Sequence, residues 1–81
     1  MRITIKHFAM CHEIFGRREE IMELPDGARL LDVLQRLESE KPEIADLYGI
    51  MRMSVNWEYT SQDALLSDGD EVALIPPVAG G

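Results

Sequence analysis

Asp68–Gly81 reads DGDEVALIPPVAGG, and the strand inside it decides how the rest of the chain must be arranged. Asp68-Gly69-Asp70 is a turn signal, because Gly takes positive φ freely and Asp can bond nearby backbone. Glu71 to Ile75 is rich in strand formers and alternates, which predicts a short β-strand. Pro76-Pro77-Val78-Ala79-Gly80-Gly81 can then be neither strand interior nor helix. The two prolines remove two backbone donors and hold φ near −65°, giving a stiff extended lead-out. Gly80 and Gly81 restore backbone freedom and leave the final carboxylate unobstructed. A terminal Gly-Gly alone carries little, since chain ends often fray. Joined to a strand through Pro-Pro, with no Ser-rich or charged linker, it predicts a tail that enters something narrow.

A second strand stands at the other end. Arg2 to Phe8 (RITIKHF) alternates strictly, with Ile3, Ile5 and His7 on one face and Arg2, Thr4, Lys6 and Phe8 on the other. Phe8 is the anomaly on the polar side. Ala9 to Phe15 loses the period of two and ends at Gly16, which predicts a short helical turn with a Gly cap. Residues 17–24 return to a strand, with Met22 and Leu24 inward and Ile21 unassigned. The short connection makes these two strands an antiparallel pair.

Between the ends lies one main helix. After the Pro25-Asp26-Gly27 turn, Leu30, Val33, Leu34 and Leu37 give the i, i+3, i+4, i+7 stripe of an amphipathic helix, which Pro42 stops. Arg29 sits where an N-cap Ser, Thr, Asp or Asn is usual, and Asp32 in the first turn offsets this through the helix dipole. Glu43 to Tyr48 suits one more turn before Gly49. Met51 to Asn56 alternates again with Met51, Met53 and Val55 inward, Trp57 to Thr60 is a turn or short strand, and Leu65-Leu66 packs a loop.

Strand, strand, helix, strand, strand has one economical solution at this length. A mixed sheet lays its apolar face on the helix, and the first and last strands run parallel at its centre because the crossover is long enough. This is an α+β fold of the ubiquitin-like β-grasp type, with residues 1–75 as the domain and 76–81 as a flexible, protruding Gly-Gly tail. The other face of the sheet has no helix over it. Phe8 and Ile75 become outward neighbours at the base of the tail, and Tyr59 extends them into a candidate protein-docking patch.

Composition narrows the function. The 81 residues form one small domain, which buries only about 60% of its unfolded surface and has little room for an enclosed active site. A net charge of −7, with 15 acidic and 8 basic residues, argues against nucleic acid, since phosphate binding needs clustered cations. It suits steering toward a basic protein surface. No apolar run spans a bilayer and no signal-peptide h-region is seen, so the expectation is a cytoplasmic protein without membrane contact. One Cys allows no internal disulfide and no Cys-ligated iron–sulfur cluster. His7, Cys11 and His12 match no metal-ligand spacing, so no metal is expected. Glu13, Glu19 and Glu20 are read as solvated charge, and Met10, Met22, Met51 and Met53 as core filler.

Over its full length the sequence resembles the small, sulfur-carrying subunits of molybdopterin synthase. The marks are Phe8-Ala9, Glu13 three residues before Gly16, Pro25 and Gly27 before the Leu-rich helix, and Val55-Asn56. The most specific is Leu66-x-Asp68-Gly69-Asp70-Glu71-Val72-Ala73 running into Pro76-Pro77-Val78-x-Gly80-Gly81. Where that family commonly has an Arg before its Glu, this chain has His12. The resemblance implies that an E1-like adenylyltransferase uses ATP to activate the Gly81 carboxylate and that a persulfide donor converts it to a thiocarboxylate. The tail then enters the large subunit and gives sulfur to cyclic pyranopterin monophosphate. It further implies no stably bound cofactor, catalytic acids and bases on the large subunit, and Phe8, Tyr59 and Ile75 as partner-facing residues. The rival readings are a sulfur carrier for thiamin thiazole synthesis, a ubiquitin-like modifier joined through Gly81, and a plain interaction module.

Overall fold

The two terminal strands meet at the centre of the sheet, as expected from the long crossover between them. The computed structural model describes residues 1–77, so the expectations for Val78, Ala79, Gly80 and Gly81 lie outside the described residues. Strand β1 (Arg2–His7) runs parallel to β5 (Glu71–Ile75), with Ile5 beside Val72 and His7 beside Leu74. On its other side β1 pairs antiparallel with β2 (Glu19–Glu23), and β5 pairs antiparallel with β3 (Arg52–Val55). The two-residue β4 (Glu58–Tyr59) closes the order β2-β1-β5-β3-β4.

The Asp-Gly-Asp turn explains how β5 finds its register. Asp68 Oδ1 accepts the Arg2 amide at 2.7 Å, and the Gly69 amide donates to the Arg2 carbonyl at 2.9 Å. Gly69 has φ 86°, a left-handed conformation that a side chain would strain. Asp70 accepts from the Ser67 amide through one oxygen and from Asn56 Nδ2 through the other. One turn thus ties together the starts of β1 and β5 and the end of β3.

Helix α1 (Met10–Phe15) ends at Gly16, whose left-handed φ of 71° lets its amide reach the His12 carbonyl. Helix α2 (Leu30–Glu40) buries Leu30, Val33, Leu34 and Leu37, each contributing roughly 1.5–3 kcal/mol through removal from water. Its missing N-cap is resolved by Asp32, whose carboxylate accepts the Arg29 amide at 2.7 Å. A 3-10 helix (Pro42–Leu47) follows, adding Ile44 and Leu47 to the core. Ile3, Ile5, Met22, Leu24, Val72 and Leu74 supply the sheet's side of that core, with Met53 and Val55 partly buried against it. In the predicted Leu65-Leu66 pair only Leu66 packs; Leu65 is exposed, because the Leu66 amide bonds the Ala28 carbonyl and turns that residue alone inward.

Glu20 is not solvated charge: its Oε2 lies 2.6 Å from His7 Nε2 and accepts from Arg17 Nε at 2.8 Å. Arg17 continues to Glu40 through two bonds of 2.9 and 2.7 Å, joining the sheet to the end of α2. Polar His7 sits on an inward strand position, so a carboxylate must follow it in. Bonding to Arg17 holds the Glu40 carboxyl below its ordinary range. A depressed carboxyl stabilises the fold above its unfolded pKa and loses that contribution as pH falls through the folded value. The melting-temperature gap between the parent and Arg17→Ala is therefore expected to narrow from about pH 7 to about pH 2, and an unchanged gap would show that Glu40 contributes nothing.

Candidate interaction face and tail root

The outer face of the sheet is bare of helices, and the register places its residues. Alternation puts Lys6 and Phe8 of β1, Ala73 and Ile75 of β5, Arg52 and Ser54 of β3 and Tyr59 of β4 on one side. The sequence pattern alone assigns Phe8, Ile75 and Tyr59 to that side as well. The Phe8 amide donates to the Leu74 carbonyl at 3.3 Å, which seats Phe8 next to the end of β5. Phe8 is 38% exposed and Tyr59 66%, while Ile75 is half-buried opposite Arg52. Pro76 is buried and Pro77 exposed, so the chain leaves the sheet at this apolar edge.

Ala9, directly after Phe8, has φ 49° and ψ −121°. A residue with a Cβ is strained there, and such strain persists where the surroundings over-determine it. The kink lets the chain leave β1 and enter α1 at once, which fixes Phe8 at the lip of the face. A shallow groove beside it is lined by Phe8, His12 and Arg18 among others. His12, the residue standing where the resembled family commonly has Arg, therefore borders the same edge as Phe8.

The tempting His7, Cys11 and His12 group is dispersed by the fold. His7 is buried against Phe15, ring centroids 4.7 Å apart, and turns to Glu20. Cys11 is fully buried with its Sγ 3.6 Å from Met51 Sδ, and burial pushes its thiol up to about 11. It is a protonated core residue at neutral pH, without the depressed pKa of a nucleophile. Among the described residues no group of three or more His, Cys, Asp or Glu side chains is placed to hold a metal ion, and no helix is long and apolar enough to cross a membrane.

Trp57 is the residue that sequence reasoning left without a role. Val55 pairs with Glu58, so Asn56 and Trp57 form a two-residue hairpin turn, both at positive φ (51° and 67°). The indole lies with its centroid 6.4 Å from the Phe8 ring and 5.8 Å from Lys6 Nζ. Arg52 stacks on the Tyr59 ring at 5.3 Å. The available signal was Asn56, a residue that tolerates positive φ between two strands. It marks the hairpin but cannot say where the next side chain points.

Comparison with known proteins agrees with this architecture. The model of the ThiS family matches residues 5–81. The molybdopterin synthase sulfur carrier subunit of Chlamydomonas reinhardtii is 39% identical, with 100% of both chains covered. The protein of the same description from Homo sapiens is 32% identical over 99% of this chain and 94% of its own. Among solved structures, SAMP1 from Haloferax volcanii matches with a TM-score of 0.88 at 27% identity, covering 100% of each chain.

Proposed function

The chain belongs to the ThiS family, and on that footing we propose that it is the sulfur-carrier subunit of a molybdopterin synthase, with the Gly81 carboxyl as its reacting group. The observation that carries the reading is that β5 ends in half-buried Ile75 on the same face as exposed Phe8 and Tyr59, so one docking event would position both face and tail. The relatives named as sulfur carrier subunits of that synthase, matched over the whole length, support it.

In this scheme an E1-like adenylyltransferase joins the Gly81 carboxylate to AMP, with pyrophosphate leaving. The terminal sulfur of a persulfide donor attacks the acyl carbon and AMP departs. A thiol then cleaves the sulfur–sulfur bond and leaves the thiocarboxylate. Docked on the large subunit, the tail gives this sulfur to cyclic pyranopterin monophosphate, and two such deliveries build the dithiolene. Glycine at 80 and 81 suits a narrow thread with an open carbonyl, and the fixed φ of Pro76 and Pro77 stiffens its root. ATP is consumed by the activating partner, the chain needs no resident cofactor or metal, and the work is cytoplasmic.

Intact mass spectrometry after incubation with ATP, an activating enzyme and a sulfur source tests this directly. A gain of about 16 Da, oxygen replaced by sulfur, is expected. An unchanged mass in a mixture that loads another carrier would falsify the reading. A ubiquitin-like modifier is the second reading, drawn from the likeness to SAMP1, a small archaeal modifier protein. Conjugates to lysine that survive denaturation and reduction would select it. Co-purification with a large synthase subunit separates the proposed role from a thiamin thiazole carrier.

A further inference from the structure

Trp57 occupies a backbone position that suits glycine and penalises a bulky side chain. A two-residue hairpin turn with positive φ at both centres favours Asn followed by Gly, and here Trp57 takes the second place at φ 67°. The turn does not depend on the indole. Asn56 holds it: its amide donates to the Glu71 carbonyl at 2.7 Å, its Oδ1 accepts the Glu71 amide at 3.0 Å, and its Nδ2 donates to Asp70. The structure around Trp57 therefore enforces a strain that its side chain does not relieve, a pattern associated with functional sites.

The indole's placement says what the strain accompanies. From the β3–β4 turn it reaches Lys6 and Phe8 on β1, and β5 lies between those strands. The ring therefore spans β5 on the outer face, where that strand carries Glu71, Ala73 and Ile75 and where Ala73, paired with Lys6, is 1% exposed. Trp57 remains 62% exposed in the middle of a face already flanked by Phe8 and Tyr59. An indole held open at the centre of an apolar patch is the usual form of a binding hot spot.

The charges around it indicate the occupant. Within the register of the outer face Arg2, Lys6 and Arg52 are matched by Glu19, Glu23 and Glu71, so this face is neutral on a chain of net charge −7. Arg2 pairs with Glu23 and Lys6 with Glu71. Arg52 makes no ion pair among the described residues, and its Cζ lies over the Tyr59 ring, 5.3 Å from the centroid, a placement that leaves guanidinium donors for a further partner. A second copy of so acidic a chain is a poor occupant.

Resting on the function proposed above, we propose that Trp57 is the anchor of the docking face. It seats in an apolar socket on the large subunit, with a carboxylate at the rim of that socket meeting Arg52. Trp57 is the chain's single Trp, so 5-fluorotryptophan labels it alone. In the full chain the fluorine signal is expected to lose its sensitivity to exchange of H2O for D2O when the large subunit is added. Trp57→Gly should weaken calorimetric affinity at least about tenfold, yet melt at or above the parent temperature because glycine relieves the turn. Arg52→Glu should weaken affinity about fivefold or more. Binding of the parent with the fluorine still solvent-sensitive, or with Trp57→Gly within twofold of it, overturns the anchor and leaves the proposed function standing. Failure of the parent to bind the large subunit at all removes both. Self-association that Trp57→Gly abolishes would assign the face to a second copy and overturn the proposal.

Discussion

A single alanine added after Gly81 is expected to abolish sulfur loading and molybdopterin formation while leaving the melting temperature unchanged. The buried core lies within residues 3–74, so the fold is indifferent to a residue appended at the far end of the tail. The chemistry is not. The carbonyl proposed to react would move by one residue, about 3.5 Å along an extended chain, and misplacement of about 1 Å in a reacting group can cost roughly a hundredfold in rate. Gly81→Ala is the milder form, crowding the acyl carbon without moving it, and should sharply reduce adenylation or transfer. The measurements are intact mass after the loading reaction and product formation with the large subunit. If the extended chain made molybdopterin without being trimmed, the terminal carboxyl could not be the reacting group.

Glu20→Ala is expected to cost about 2–3 kcal/mol of folding stability, because it strands a buried imidazole. The His7 side chain is fully buried, Nε2 bonds Glu20, and Nδ1 already has no partner among the described residues. Removing the carboxylate leaves both ring nitrogens unsatisfied and takes one of the bonds of Arg17. A chain of this size has a total stability of roughly 4–12 kcal/mol, so the melting temperature should fall by about 10–20 °C. Glu20→Gln, which keeps an oxygen facing His7, should lose less than half as much. A loss below about 1 kcal/mol for Glu20→Ala would mean that His7 finds another partner. Because His7 precedes Phe8, the same variant checks whether this inner network steadies the edge proposed for docking. Partner affinity measured well below the melting temperature separates the two effects.

These two residues show where reading the chain in one dimension stops. The alternation of residues 2–8 places His7 inward, but its partner lies thirteen positions on, across an antiparallel pair. Nothing local in Glu19-Glu20 marks which carboxylate turns inward; the pairing of Ile5 with Glu20 decides it. Trp57 is a similar case. Asn56 announces the turn, whereas the indole's reach to Phe8 depends on β5 lying between β3 and β1. Leu65 and Leu66 look equivalent in the sequence, and one backbone bond to Ala28 separates them.

By itself the sequence determined the elements and most of their inward faces, because periodicity, glycine caps and prolines act over a few residues. It also made the first and last strands parallel neighbours, since a long crossover with two half-buried ends leaves few other arrangements. Only the tertiary structure decided which polar groups satisfy one another inside the fold and which side chains gather on the open face. Those outcomes turn on contacts between residues far apart in the chain, and a hydrogen bond or a ring stacking carries no periodicity from which it could be read.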